Sequence, residues 1–169
     1  ESAGVLHHMS DPLEGWKVLT QSLKENGLMR IGLYSNLARQ HIAKTQKEIT
    51  QTKIGSDDLS MKIFRNKIIR SQENHHKKVI LTGDFYSVSS LRDLLFHVQE
   101  HRFTIPQIEN CLSILDMEFC GFESERIIQN FLAQNTNFND LYDLRKWHKF
   151  EKNHPHTFGS MYVFWCQKL

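Results

Sequence analysis

Short apolar runs alternate with helix signals along the 169 residues, and this alternation indicates an α/β fold. Residues 2–9 and 28–34 predict two strands, because nearly continuous apolar runs are typical of strands buried on both faces of a sheet. Between them, Asp11-Pro12 predicts the start of a helix and Asn26-Gly27 predicts its end. Helical connections between strands favour parallel neighbours for most of the sheet.

The middle of the chain differs in composition from its ends. Residues 36–78 are rich in Gln, Lys and Thr and predict a helical insertion, with a polar link at 73–78, inside a single domain spanning 1–169. Ser89 or Ser90 is expected to begin the next helix. The remaining predictions are helices at 91–98, 104–115, 127–132 and 140–150, and strands at 117–122 and 159–166. Together these elements predict a three-layer fold around a four-stranded mixed sheet.

Charge and cysteine content restrict the environment and partners of the chain. A net charge of +2 gives no support for a nucleic-acid or anionic-membrane partner. No apolar stretch approaches the ~20 residues that a membrane-spanning helix needs. The three cysteines are an odd number and are not spaced like a zinc site, and two of them, Cys120 and Cys166, sit in apolar surroundings, so free thiols in a reducing cytoplasm are expected.

Residues 2–9, read together with Asp11-Pro12 and Gly15-Trp16, carry a family resemblance. They resemble the fourth strand and following helix of class I S-adenosylmethionine-dependent methyltransferases. Residues 23–34 are similar to that family's fifth strand, with Glu25-Asn26-Gly27 in place of its usual Pro-Gly-Gly turn. The resemblance implies a partial Rossmann-like fold with S-adenosylmethionine as cofactor of the intact parent protein, and leaves the methyl acceptor, a small molecule or a protein, unknown.

Further along the chain, residues 84–87 and 92–104 resemble a bacterial subgroup of uncharacterised methyltransferases. On this basis 117–122 corresponds to the family's sixth strand and 159–166 to its antiparallel seventh. The resemblance covers only the second half of the family's fold. The eight glycines are all at least five residues apart, so no GxGxG cofactor loop exists in the sequence. We therefore expect a methyltransferase fragment that is inactive alone and self-associates through an exposed strand edge at 2–6.

His7 and His8 are the candidate catalytic residues. At the carboxyl end of a parallel strand, an imidazole projects into the crevice where ligands of open α/β sheets bind, and there it can act as a general base or orient an acceptor. The alternative is that one of the two packs against the following helix. The resemblance implies that the preceding residues border the methionine portion of the cofactor: Ala3, Gly4, Val5 and Leu6.

Four further side chains are candidates for binding the substrate. Tyr34 ends the second predicted strand, and a core tyrosine is its alternative role. Tyr86 and Arg92 lie near the start of a helix, where Arg92 can bind an anionic group or form a surface pair with Asp84 or Asp93. His97 lies further along the same predicted helix.

Residues 97–101 also match the string HxxEH, in which two histidines four apart on a helix bind zinc. A zinc-dependent hydrolase is therefore a rival function, with a third ligand sought among Glu118, Glu123 and Glu125. The main interpretation includes no metal. A non-catalytic interaction domain that retains the fold without the chemistry is a third alternative.

Overall fold

The computed structural model describes residues 1–97 and 99–169, and the chain divides into two compact units. The sheet unit comprises Glu1–Ala38 and Gln99–Leu169, and the helical unit comprises Arg39–Val98. The single domain with an insertion over about 36–78 stays a prediction. The part of the predicted 91–98 helix that falls on Val98 lies outside the described residues.

Four strands form one mixed sheet in the described part of the sheet unit, in the order β1-β2-β4-β3. They are β1 (Ser2–Ala3), β2 (Leu28–Leu33), β3 (Met117–Phe122) and β4 (Tyr162–Lys168). The α/β class and the mixed sheet are thereby confirmed. β1 runs parallel to β2, whereas β4 is antiparallel to both β2 and β3. The expectation of mostly parallel neighbours is wrong, because the last strand lies between β2 and β3 and runs against both.

The first strand is much shorter than the predicted 2–9. Backbone pairing joins Ser2 to Ile31 and Ala3 to Gly32, and strand β1 ends there. Gly4 adopts a φ of 78°, which turns the chain out of the extended conformation and favours glycine. Leu6–His8 then forms a short 3-10 helix. The prediction of a buried strand over 2–9 is therefore wrong in length, and it is wrong in burial as well, because Ala3, Val5 and Met9 are exposed and Leu6 alone of the apolar side chains is fully buried.

The described residues contain eight α-helices: α1 (Pro12–Gln21), α2 (Gln40–Thr52), α3 (Asp58–Arg70), α4 (Asn74–Val79), α5 (Val88–Leu95), α6 (Ile105–Ile114), α7 (Glu125–Leu132) and α8 (Leu144–Asn153). The polar link predicted at 73–78 is therefore mostly helix α4. The Asp11 side chain caps α1, as the sequence indicated. Thr104 and Gln107 form a capping box on α6. Ser87, rather than Ser89 or Ser90, caps α5. None of the helices within 1–97 and 99–169 is long and apolar enough to span a bilayer.

Each unit has its own apolar core. In the sheet unit, Phe131 stacks on Trp147 with ring centroids 3.9 Å apart, and Trp16, Ile31 and Phe164 are buried on and against the sheet. The core of the helical unit is formed by buried side chains of α2 to α5: Ile42, Ile49, Met61, Phe64, Ile68, Val79, Phe85, Leu91, Leu94 and Leu95. Full burial of such a side chain stabilises the fold by about 1.5–3 kcal/mol.

Candidate functional site

The candidate site lies where the parallel strands β1 and β2 end. The 3-10 helix after β1 places His7 in full burial and leaves His8 partly exposed. The two imidazoles meet edge to face, with centroids 4.3 Å apart. Tyr34 follows β2 directly, and its ring lies 3.9 Å from that of His7 and 6.1 Å from that of His8. The structure thus brings three of the predicted site residues together as one aromatic cluster.

A backbone segment of the same unit fixes this cluster. The His101 amide donates to the carbonyl of His7 at 2.7 Å, and the Phe103 amide donates to the carbonyl of Tyr34 at 2.8 Å. His8 Nδ1 lies 3.1 Å from the carbonyl oxygen of Gln99. A carbonyl only accepts, so Nδ1 of His8 carries a proton, and in the neutral form of the ring the lone pair lies on Nε2. This tautomer is the one in which Nε2 can take a proton from a bound molecule.

The segment assigned to the cofactor passes between β1 and this cluster. The Gly4 amide donates to the carbonyl of Gly32 at 3.5 Å, which holds the turn against β2. Val5 has 56% of its surface exposed, whereas Leu6 is buried in the core. The exposed surface at Val5 is therefore the part of this segment that a ligand can contact. The cofactor role of Ala3, Gly4, Val5 and Leu6 stays a prediction.

Gly32 allows β1 to approach β2 closely. A Cβ atom at this position would lie 2.9 Å from the Cβ atom of Ala3 and 3.0 Å from its Cα atom. Both distances are too short for ordinary contact, so a larger residue at position 32 would displace β1 or the turn that follows it.

A buried acid next to this region was missed in the sequence. Glu151 of α8 is fully buried, and its Oε1 accepts hydrogen bonds from Ser35 Oγ at 2.7 Å and from the Tyr162 hydroxyl at 2.6 Å. Its Oε2 is buried without a hydrogen-bond partner in the described part of the chain. Burial raises the pKa of Glu151 against the opposing effect of the two hydrogen bonds, and burial also raises the pKa of Tyr162. The sequence did contain a signal, since Glu151 follows Leu144 and Trp147 on the buried face of α8.

Three of the predicted substrate-binding residues belong to the helical unit: Tyr86, Arg92 and His97. Tyr86 is exposed, and its hydroxyl donates to the carbonyl of Ile80 at 2.9 Å. Arg92 pairs with Asp58 of α3 at 2.7 Å, whereas the sequence pointed to Asp84 or Asp93. His97 is exposed and follows the end of α5. The substrate-binding role of these residues stays a prediction.

The HxxEH string does not form the helical arrangement that its zinc chemistry requires. Helix α5 ends at Leu95, and His97 and His101 both lie outside any helix. Val98, within the string, is outside the described residues. Of the three proposed third ligands, Glu123 is bound by Arg30, with Nε to Oε2 at 2.5 Å. The structure therefore does not favour the zinc hydrolase.

Comparison with known proteins supports the fold. No family model matches the chain. The solved structure of the methyltransferase PKMT2 from Rickettsia typhi in complex with AdoHcy is similar over 97% of this chain, with a TM-score of 0.62 and 14% sequence identity. A second structure of PKMT2 from Rickettsia typhi matches 98% of this chain with a TM-score of 0.61 and 12% identity. The chain spans about a third of the length of these proteins, 34% in each case. The fold is that of a Rossmann-like methyltransferase.

Proposed function

We propose that this chain supplies the second half of an S-adenosylmethionine-dependent methyltransferase domain. The observation that carries the proposal is the match of nearly the whole chain to a methyltransferase solved with AdoHcy. AdoHcy is the product that remains after S-adenosylmethionine has given up its methyl group. The similarity of 84–87 and 92–104 to a bacterial methyltransferase subgroup supports a bacterial relative as the parent protein. The three free cysteines favour the cytoplasm as its location.

The cluster at the ends of β1 and β2 is the proposed reaction site. S-adenosylmethionine supplies a methyl group on a positively charged sulfur, and the protein mainly positions the acceptor for an in-line displacement. His8 is the proposed general base, because its Nδ1–H is committed to the Gln99 carbonyl and its Nε2 bears the lone pair. Buried His7 positions His8 and Tyr34 through ring contacts on both sides.

Activity is not expected from this chain alone. The spacing of its glycines provides no GxGxG loop, the element that lets the backbone approach such a cofactor closely. The exposed surface at Val5 would then contact only the methionine portion of the cofactor. We expect affinity for AdoHcy in the millimolar range and no methyl transfer to any acceptor by the isolated chain.

Nuclear magnetic resonance tests this proposal, because it detects weak binding and locates it. AdoHcy is titrated to about 1 mM, where a site with a millimolar dissociation constant is half filled. We expect amide shifts at residues 3–8 and at Tyr34. No shifts at this concentration, or shifts confined to residues 39–97, would overturn the proposed site.

Two exposed valines of the sheet unit provide a matched pair of variants. Val5 and Val18 are 56% and 60% exposed, so neither Val5→Asp nor Val18→Asp introduces a buried charge. We expect Val5→Asp to weaken the AdoHcy-induced shifts and Val18→Asp to leave them unchanged. Equal shifts in both variants would contradict a cofactor contact at Val5.

A further inference from the structure

Three potential metal ligands converge inside the helical unit. Among the described residues, Glu48, His75 and His76 form the one group of three His, Cys, Asp or Glu side chains whose ligand atoms lie within 4.8 Å of one another. Helix α2 supplies Glu48, and the short helix α4 supplies both histidines. The two imidazole centroids are only 4.1 Å apart, so adjacent residues point to the same place.

The distances between these atoms suit a tetrahedral metal. His76 Nε2 lies 2.8 Å from Glu48 Oε2, and His75 Nε2 lies 3.6 Å from the same oxygen. Ligands about 2.0 Å from a tetrahedral zinc ion are separated from one another by about 3.3 Å. The two observed separations bracket that value, so small side-chain movements would complete the coordination.

Outer contacts hold His76 and Glu48 in place. His75 Nδ1 lies 3.7 Å from a carboxylate oxygen of Glu73, beyond hydrogen-bond distance, whereas His76 Nδ1 lies 2.8 Å from Ser71 Oγ. Histidine ligands of metals usually have such a partner on the second ring nitrogen, which fixes the ring and its tautomer. Lys67 binds Glu48 through Oε1 at 2.8 Å, and so leaves Oε2 to the imidazoles.

We propose that Glu48, His75 and His76 form a Zn²⁺ site. An open pocket of about 610 Å³ borders all three residues and provides an entry path and room for a fourth ligand such as water. The pocket is also lined by Lys44, Lys47 and Lys67. Their positive charge repels cations and disfavours an ion whose binding is purely electrostatic. Two nitrogen ligands instead select a metal with strong bonds to imidazole, which favours Zn²⁺ over Mg²⁺.

Metal binding at this site requires one proton to move within the His76 ring. In the structure His76 Nε2–H donates to Glu48 Oε2. A metal bound to Nε2 takes the place of this proton, and the single ring proton then lies on Nδ1, where Ser71 Oγ at 2.8 Å can accept it.

Titration calorimetry of Zn²⁺ into tag-free protein tests the proposal, with Mg²⁺ as the comparison metal. We expect one Zn²⁺ per chain and no Mg²⁺ binding. Ser71→Ala should weaken Zn²⁺ binding about 10–100-fold, the usual effect of losing an outer partner. His76→Gln should weaken it further. The double variant His154→Gln/His156→Gln, which removes two exposed loop imidazoles, should bind as the unaltered chain does.

Two outcomes would overturn the site: absence of stoichiometric Zn²⁺ in the unaltered chain, or full binding in folded His76→Gln. Circular dichroism establishes whether each variant is folded. If His76→Gln does not fold, imidazole resonances of the unaltered chain decide the question. Zn²⁺ must shift those of His75 and His76, and shifts at other histidines alone would refute the proposal.

Discussion

Ser35 Oγ donates a 2.7 Å hydrogen bond to Oε1 of Glu151, a residue 116 positions further along the chain. The contact ties the end of β2 to helix α8 within the sheet unit. Tyr162, at the start of β4, donates to the same oxygen at 2.6 Å. One buried carboxyl group therefore joins two neighbouring strands and a helix beside the candidate site.

This carboxyl group should make stability depend on pH. Because burial raises the pKa of Glu151 above its ordinary value of 4.5, the folded chain holds a proton that the unfolded chain loses near that pH. The protonated Glu151 carboxyl group therefore contributes fully to the free energy of unfolding below pH 4.5. This contribution is lost as the pH rises through the pKa of Glu151 in the folded state. Urea unfolding over a pH series should show this decline in the unaltered chain and a flatter profile in Glu151→Gln.

Glu14→Gln is the matched control for this experiment. Glu14 is an exposed acid on α1 that pairs with Lys17 at 3.6 Å. Its replacement should leave the pH profile parallel to that of the unaltered chain. A Glu151→Gln profile that is also parallel would show that Glu151 ionises normally in the folded protein.

Loss of the Tyr34 ring should destabilise the site. Ring pairs such as His7 and Tyr34 contribute about 0.5–1.5 kcal/mol beyond the area that they bury. Tyr34→Leu should therefore reduce the free energy of unfolding by at least about 1 kcal/mol, whereas Tyr34→Phe retains the ring and should cost less. Equal losses for both variants, measured by chemical denaturation, would assign the effect to the hydroxyl instead.

An added methyl group at Gly32 should disturb the pairing of β1 with β2. The new Cβ atom would meet Ala3 at about 3 Å, and overpacking of this kind costs about 1–3 kcal/mol. Gly83→Ala is the comparison, because a Cβ atom there meets nothing within 4 Å. Thermal unfolding should show a lower Tm for Gly32→Ala than for Gly83→Ala. Equal values would indicate that β1 shifts without cost.

We propose that the edge of β1 mediates self-association, as strand edges with unpaired backbone groups tend to do. Gly4 donates towards β2, and alternate residues of a strand face opposite edges, so the amide of Ala3 points away from β2. Ala3→Pro removes this outward donor without touching the Gly4 bond. Analytical ultracentrifugation should show a dimer that Ala3→Pro weakens. A monomer at every concentration would refute the interface.

The sequence predicted those features of the fold that depend on interactions between residues close together in the chain. Asp11 caps α1 as the sequence indicated, because a cap is an interaction within four residues. The bounds of β3 also match the prediction at both ends. The length of β1 was wrong because the strand ends at the backbone conformation of Gly4, which the apolar character of the surrounding residues does not reveal.

Long-range pairings could not be read from the sequence in the same way. The antiparallel direction of β4 was expected only from the family resemblance, since nothing in residues 162–168 specifies their neighbours. Glu48 gave no sign of its two imidazole partners, because helix packing joins residues 28 positions apart. His7 and Tyr34 were both singled out, yet their mutual contact is a result of the β1–β2 pairing.

The position of β4 also bears on how the chain folds during synthesis. β4 is synthesised after β2 and β3 and lies between them, so the sheet lacks its central pairings until residues 162–168 have emerged from the ribosome. The core residues of the helical unit have all been translated by Leu95, long before that point. Contacts between distant parts of a chain form slowly. The sheet unit should thus fold later than the helical unit, and the apolar faces of β2 and β3 should need protection from aggregation until β4 has emerged.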